Sequence, residues 1–229
     1  MRAPLIFAAG VAAGWSVPAL APIVPAISEL IGAERRLTGT GGVALTFDDG
    51  PHPEGTPATL EVLRERGAVA TFFLVGEQVE RYGSVAAEIA AAGHRIALHG
   101  HRHRLQLRIP PRALADDLCR GFDIVAEATG RAPDTYRPPY GIFSPAGLAY
   151  ARRRGWRPLL WSRWGRDWAA RATPESIAAK VTEDLGAGDV LLLHDADWYS
   201  AAGSHRNTVA ALPRVLDAIE ARGLRTVGV

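Results

Sequence analysis

The sequence predicts an α/β fold in one domain, with parallel strands that alternate with helices as a βα barrel or an open sheet. Seven apolar runs of strand length alternate with six segments that carry helix start and stop signals. Several runs are apolar throughout, which is typical of strands buried on both faces of a parallel sheet. With 229 residues, 48% of them hydrophobic, the chain can bury a core of this size.

The apolar runs place the strands, and capping residues, prolines and glycines place the ends of the helices. We expect strands at residues 43–47, 69–74, 95–98, 135–137, 158–161, 190–193 and 224–229. The first helix has Thr56 as its N-cap, Pro57 at its first position and Gly67 just past its end. The other helices begin after Ser84 and end at Gly93, or cover residues 111–129, 145–155, 173–186 and 208–222.

Composition excludes some classes of protein. The formal net charge of +2 is too small to indicate a nucleic-acid partner. A single cysteine, Cys119, rules out an intramolecular disulfide. It lies on an apolar helical face, so we expect a buried, inert thiol.

The N-terminal segment differs in kind from the rest of the chain. Residues 3–31 carry no charge before Glu29. Ala19-Leu20-Ala21 resembles a signal-peptide cleavage site, but the following Pro22 argues against cleavage. A membrane span needs about 20 apolar residues, and prolines interrupt this one.

Three interpretations of that segment remain: a signal peptide, a membrane-associated segment, or an apolar arm that packs on the domain. We favour an uncleaved segment that serves membrane association or export, and therefore an extracytoplasmic or membrane-associated protein. The predicted boundary separates residues 1–38 from a domain at residues 39–229.

Two adjacent carboxylates, Asp48 and Asp49, end the first apolar run. Adjacent like charges at a strand end need a compensating cation. If the strand alternates, the two side chains point in different directions, so one can hold a metal while the other handles protons. The residues alone do not say which does which.

Further polar residues follow the later strands: His99 and His103 the third, Arg137 and Tyr140 the fourth, Asp167 the fifth and His194 the sixth. In βα barrels, functional groups collect at these carboxyl ends of the strands. The shared position of these residues therefore predicts one site at that end.

A dense histidine cluster offers metal ligands at His99, His101 and His103. On a helical turn, His99 and His103 would face the same way, and we prefer that pair. With one carboxylate they suit zinc or another late divalent metal. Without Asp48 and Asp49, these histidines would indicate only a solvated basic turn.

The remaining motifs supply groups for the reaction. Arg137 precedes Pro138-Pro139, a rigid turn whose backbone donors could meet an oxyanion. His194 at a strand end is placed as a general acid. Residues 161–168 supply Asp167 and three tryptophans whose faces suit sugar rings.

Taken together, the motifs resemble those of the NodB-homology polysaccharide deacetylases, carbohydrate esterase family 4. They are TFDDG at 46–50, His-x-x-x-His at 99–103, RPPYG at 137–141, Asp167-Trp168 and LLH at 192–194, in the order of that family, with a similar closing stretch at 208–227. The resemblance spans residues 43–229. It implies a distorted (β/α)7 barrel, a divalent metal that is usually zinc (cobalt is the alternative), and hydrolysis of N-acetyl or O-acetyl groups on polysaccharides.

The resemblance also implies a role for each matching residue. Asp48 would be the catalytic base, oriented by Arg137, and the metal ligands would be Asp49, His99 and His103. The Tyr140 amide would stabilise the oxyanion and His194 would protonate the leaving group. Leu192 would line the pocket for the acetyl methyl, and Asp167 and Trp168 would complete the catalytic and substrate-binding set.

The chain departs from the family pattern at Gly100, Arg104 and Trp164. Trp164 stands where the family commonly has an aspartate that tunes the acid histidine, which leaves Asp195 or Asp197 to replace it. The loop at 196–207, with Trp198, Tyr199 and His205, is expected to shape the substrate groove.

We therefore expect an enzyme of carbohydrate metabolism that deacetylates a cell-envelope glycan. The alternatives are a glycan-binding module that kept the metal and lost turnover, and a hydrolase of a small amide or cyclic imide on the same fold. Acetate release would separate the first two.

Overall fold

The computed structural model describes residues 17–229, and the first 16 residues of the predicted N-terminal segment lie outside them. Parallel strands form one curled sheet in the order β5-β4-β3-β2-β1-β7-β6, with β8 paired to the start of β1. The strands are β1 Val43–Asp48, β2 Thr71–Leu74, β3 Arg95–Leu98, β4 Thr135–Tyr136, β5 Arg157–Pro158, β6 Arg163–Trp164, β7 Val190–His194 and β8 Thr226–Val227.

The sheet curls into a distorted barrel because its two edges are joined by a very short connection. Strands β5 and β6 are the outermost of the sheet, yet only residues 159–162 separate them. The five residue steps from Pro158 to Arg163 span at most about 18 Å, so the edges must lie close together. The predicted α/β barrel is confirmed, with β6 as a strand that the sequence did not indicate.

The N-terminal segment pairs with the chain beside this closure. Glu34 bridges Leu159, just after β5, and Arg36 bridges Asp189, just before β7. The Arg35 guanidinium donates to the carbonyls of Ala21 and Pro22 at 2.8 and 2.5 Å. From residue 17 onward the segment therefore packs on the barrel as an apolar arm.

Within residues 17–229, no helix combines the length and the apolar character that crossing a membrane would require. The N-terminal segment for which membrane association was predicted also includes residues 3–16, which lie outside the described residues. The domain boundary at residue 38 remains a prediction.

The helices surround the sheet and largely follow their sequence signals. They are α1 Pro25–Leu30, α2 Gly55–Glu65, α3 Gly76–Arg81, α4 Gly83–Ala91, α5 Pro111–Thr129, α6 Pro145–Arg153, α7 Pro174–Val181 and α8 Ser204–Glu220. The prediction for α5 is confirmed to the residue. Its C-terminal Gly130 has a φ of 66°, a conformation that favours glycine over any residue with a Cβ.

Two local predictions were wrong. Thr56 is not the N-cap of α2, because its hydroxyl accepts from the His52 amide and donates to the buried Asp195. Cys119 is only partly buried and lies 3.7 Å from the Asp123 carboxylate, since it flanks the apolar stripe of α5.

The central strand β1 carries the core. All six of its residues are buried; Ala44–Asp48 pair with β7, and Thr46–Asp48 pair with β2 on the other side. The pairing with β7 places Asp48 level with His194. The carboxyl ends of β1 and β7 therefore bring two of the predicted site residues together.

We expect Leu45→Ala to lower the free energy of unfolding by about 2–5 kcal/mol, because Leu45 is fully buried in β1 and the change leaves a cavity. Urea denaturation measures this effect. Leu30→Ala is the matched control: Leu30 is 78% exposed, so the change should stay within about 0.5 kcal/mol. Equal effects of the two variants would contradict the central place of β1.

Candidate metal centre and active site

The two adjacent aspartates contact different side chains, Arg137 for Asp48 and His103 for Asp49, but not because they alternate along a strand. Asp48 is the last residue of β1, whereas Asp49 has a φ of 76° and has left the strand. Both side chains are almost fully buried. The separation of the two carboxylates therefore comes from a left-handed turn rather than from strand alternation.

Asp49 faces two histidine rings. Its Oδ1 lies 3.5 Å from Nε2 of His99 and 3.3 Å from Nε2 of His103. The predicted helical turn between the histidines was wrong, because residues 99–103 form an irregular bend in which Gly100 has a φ of 93°. The bend nevertheless brings both rings to Asp49, and the three residues form a cluster with metal-ligand spacing.

The cluster fits a divalent cation on the chemistry of its donors. Nδ1 of His99 lies 2.8 Å from the Arg137 carbonyl, so it carries the proton and Nε2 presents a lone pair. That lone pair faces Asp49 Oδ1, a buried acceptor that has no hydrogen-bond partner. Two acceptors aimed at one point need a cation between them.

The protonation states agree with this interpretation. Burial lowers the pKa of His99 to about 4, which outweighs the raising effect of Asp48 and Asp49 and keeps the ring neutral. Burial acts to raise the pKa of Asp49, but His103, His194 and His99 together lower it to about 2. A neutral imidazole and an ionised carboxylate are the forms that bind metal.

His101, the third member of the histidine motif, lies away from this cluster. Its backbone amide donates to the Asp117 carboxylate on α5 and lies against Gly121 of that helix, and its buried ring lies against Gly76 on α3. The motif therefore divides between the candidate metal site and the packing of β3 against the helices.

Asp48 is held by a buried guanidinium. Nη1 of Arg137 donates to Asp48 Oδ1 at 2.6 Å and to Thr46 Oγ1 at 3.0 Å. Nε and Nη2 donate to the carbonyls of Leu159 and Leu160. Since Arg137 occupies only Oδ1, the second oxygen of Asp48 remains available on the side of His99, 3.9 Å from its Nε2.

His194 has the opposite electrostatic environment from His99. Its Nδ1 lies 2.9 Å from Asp167 Oδ1, and its backbone amide donates to Asp167 Oδ2 at 2.7 Å. Burial acts to lower the pKa of His194, but Asp167, with Asp49 and Asp48, raises it to about 10. His194 is therefore a protonated imidazolium that faces Asp49 Oδ2 at 3.9 Å.

The tryptophan at position 164 does not leave His194 without a carboxylate partner. Asp167 supplies that partner, and Thr208 on α8 donates to it at 2.8 Å. Neither Asp195 nor Asp197 replaces it: Asp195 bonds to Thr56, and Asp197 accepts from the Gly203 amide. Trp164 instead stands in an aromatic wall with Trp161 and Trp168.

These groups open into one cavity of about 320 Å³ at the carboxyl end of the sheet. Of the predicted residues, it is lined by Asp48, Asp49, His99, His103, Tyr140, Trp168, Leu192 and His194. Tyr140 has a φ of 62° and is 55% exposed at the rim. Arg137 and Asp167 do not line the cavity. Both are fully buried, and they contact Asp48 and His194, which do line it.

A second cluster joins His52, Asp197 and His205 beside the cavity. Nδ1 of His52 accepts from the amides of Glu54 and Gly55, at 3.1 and 2.9 Å, so its Nε2 carries the proton and faces Asp197 Oδ1 at 3.2 Å. Because Nε2 has no free lone pair, this group is a hydrogen-bonded support for the loop that begins at Asp197.

Tyr199 and Ser200 on that loop also line the cavity. The loop was expected to shape the groove through Trp198, Tyr199 and His205; of these three, only Tyr199 lines the cavity, and Ser200 was not predicted. Thr46 and Thr208 were not predicted either, since each acts only by contacting Arg137 or Asp167 across the fold.

Comparison with known proteins gives consistent matches. The family model for polysaccharide deacetylase matches residues 36–159. A peptidoglycan-N-acetylglucosamine deacetylase of Bacillus cereus is 36% identical over 82% of this chain and 85% of its own length. A chitooligosaccharide deacetylase of Azorhizobium caulinodans is 32% identical over 85% of this chain and 96% of its own.

A solved structure shares the architecture. The crystal structure of a peptidoglycan N-acetylglucosamine deacetylase in complex with 4-naphthalen-1-yl-N-oxidanyl-benzamide superimposes with a TM-score of 0.80 and 29% identity. The match covers 86% of this chain and 90% of that one.

We expect Asp167→Asn to lower the pKa of His194, because the largest contribution that raises it disappears. An NMR titration of the imidazole measures this directly. If His194 must be protonated for turnover, the basic limb of kcat/KM moves to lower pH and kcat falls by about 10²–10⁴-fold.

Thr208→Val is the matched control, since it removes one hydrogen bond to Asp167 and leaves the charge. Its effect on the pKa of His194 should be clearly smaller. If the basic limb of kcat/KM lies at the same pH in Asp167→Asn and in the unmodified protein, the contact with Asp167 is not what keeps His194 protonated.

Proposed function

The chain belongs to the polysaccharide deacetylase family, and we propose that its site hydrolyses the N-acetyl groups of an N-acetylglucosamine-containing glycan of the cell envelope. One observation carries the proposal: Asp48 and His194 lie level on neighbouring strands, and each faces a different residue of the candidate metal cluster at 3.9 Å, His99 for Asp48 and Asp49 for His194. A base and an acid separated in this way suit a hydrolysis that removes one proton and delivers another.

The cation proposed at Asp49, His99 and His103 is zinc, with cobalt as the alternative, because two imidazoles and one carboxylate form a set typical of catalytic zinc. When bound, it would polarise the acetyl carbonyl and lower the pKa of water in the site. Its identity is the finer part of the proposal, and metal replacement tests it.

Asp48 acts as the base in this proposal. Arg137 binds one carboxylate oxygen and fixes the plane of the group, which leaves the other oxygen to take a proton from the attacking water. Since Arg137 is fully buried and has four acceptors, Asp48 stays in place without rearrangement during the reaction.

His194 acts as the acid. Asp167 accepts a hydrogen bond from Nδ1 of His194. Nε2 of His194 therefore carries the proton that faces the cavity, and this proton is delivered to the leaving amine. We propose that the Tyr140 amide stabilises the oxyanion, on a turn that Pro138 and Pro139 hold rigid. Leu192 would receive the acetyl methyl, and Trp168 the face of the sugar.

The extracytoplasmic location follows from an envelope substrate, and we propose that the uncleaved N-terminal segment at residues 3–31 provides membrane association. The described part of it supports this proposal with four large exposed apolar side chains, Val17, Leu20, Ile23 and Leu30. Fractionation of cells followed by mass spectrometry of the mature N-terminus tests both statements. A soluble cytoplasmic protein would contradict them.

The substrate is tested by acetate release from peptidoglycan, chitooligosaccharides and O-acetylated xylan, after treatment with a chelator and after addition of zinc or cobalt. We expect release from the N-acetylated glycans that the chelator abolishes and the metal restores. Glycan binding without release on any substrate would favour the binding module instead. The Asp167–His194 pair argues for turnover.

We expect Asp49→Ala to abolish both metal binding and acetate release, because the carboxylate joins the two histidines. Asp48→Asn should keep the metal affinity and lower kcat by about 10²–10⁴-fold, since the amide cannot accept the proton. Isothermal titration with zinc and the acetate assay measure the two effects separately.

Asp116→Asn is the matched control, at an exposed position of α5, and should change neither quantity. Full turnover in Asp48→Asn would contradict its assignment as the base, and unchanged zinc binding in Asp49→Ala would contradict the metal cluster.

A further inference from the structure

The two histidines of the candidate metal cluster are supported differently. Nδ1 of His99 donates to the Arg137 carbonyl at 2.8 Å. Nδ1 of His103 is buried and has no hydrogen-bond partner among the described residues. A histidine that binds metal almost always donates its second ring N–H to an oxygen, which fixes the orientation of the ring. Another contact must therefore hold the ring of His103.

That contact is aromatic. The ring of Tyr199 stacks on the ring of His103, with centroids 4.1 Å apart and an angle of 10° between the planes. Tyr140 meets the same imidazole edge-on at 4.6 Å and 68°. Two rings in these orientations restrict both the tilt and the rotation of His103.

Tyr199 is the better anchored of the two tyrosines. Its hydroxyl donates to Glu77 Oε1 at 2.7 Å and accepts from Gln78 Nε2 at 2.9 Å, both on α3. Tyr140, in contrast, is more than half exposed at the cavity rim. A fixed support for His103 therefore has to come from Tyr199.

The backbone on either side of Tyr199 is also held. Trp198 donates from Nε1 to the Pro51 carbonyl at 3.0 Å and stacks on Tyr82 with an angle of 9° between the rings. Asp197 accepts from the Gly203 amide at 2.5 Å and faces His52 and His205. The second histidine cluster thus fixes the loop that places Tyr199.

We propose that Tyr199 is a positioning residue for the metal site, whose stacked ring fixes the plane of His103 in place of the hydrogen bond that His99 has. The proposal rests on the proposed function, because it takes Asp49, His99 and His103 as the metal ligands. It adds a residue from a loop 96 positions further along the chain to the determinants of metal affinity and geometry.

The test measures the metal rather than the reaction. Zinc affinity is obtained by competition with a chelator, and the visible absorption of bound Co²⁺ reports the geometry of its ligands. Tyr199→Leu should weaken zinc binding by about tenfold and change the Co²⁺ spectrum. Tyr199→Phe keeps the ring and should restore both the affinity and the spectrum.

Tyr150→Leu is the matched control, because Tyr150 packs on Trp156 away from the cavity, and it should leave zinc affinity unchanged. Thermal melting of the metal-free proteins checks that each variant folds. If Tyr199→Leu does not fold, Tyr199→Met takes its place, since a flexible side chain fills the volume without a planar face.

Wild-type zinc affinity and an unaltered Co²⁺ spectrum in Tyr199→Leu or Tyr199→Met would overturn the proposal. Loss of affinity in Tyr199→Phe equal to that in Tyr199→Leu would also overturn it, because the hydroxyl rather than the ring would then matter. Failure of the unmodified protein to bind either metal would instead contradict the proposed function, so the two failures are distinguishable.

Discussion

The buried contact between Arg137 and Asp48 is the constraint on which the rest of the site depends. A guanidinium with no exposed surface is costly to desolvate unless all its donors are satisfied. Its donors meet the carboxylate, a threonine hydroxyl and two carbonyls of the segment that closes the barrel, and its plane lies over Phe73 at 3.9 Å. One side chain therefore ties the central strand to the closing segment and orients the proposed base. Its own carbonyl also sets the tautomer of His99.

Around this contact, the mouth of the barrel has two sides that differ in the charge of their histidine, which is neutral on one side and positive on the other. His99 is enclosed beside Arg137 and burial holds its pKa at about 4, so it stays neutral. His194, at the end of β7 with β2 and β1 between it and β3, contacts a buried carboxylate that raises its pKa to about 10, so it stays charged. In the proposed mechanism, the same residue type therefore serves as a metal ligand on one side and as an acid on the other. Asp49 lies between them and faces both.

Much of the architecture is local and could be read from the residues. Helix α5 is bounded by Pro111 and Gly130, and both ends follow from the backbone conformations that those residues allow. The strand at 95–98 and the arrangement of polar residues at the strand ends were likewise predictable. Where contacts across the fold compete with local signals, the prediction failed. Thr56 has the signal of an N-cap, but its hydroxyl is used by Asp195 instead.

The sequence by itself determined the fold class, the family resemblance and the set of residues at the mouth of the barrel, because motif spacing and hydrophobic pattern are properties of the chain. Only the tertiary structure decided how those residues pair. It assigned Asp167 rather than Asp195 or Asp197 to His194, and it placed the ring of Tyr199 on His103. The physical reason is that such contacts depend on which strand ends are neighbours and where the loops between them lie. Residues 27 and 96 positions apart in the chain then meet within a few ångströms.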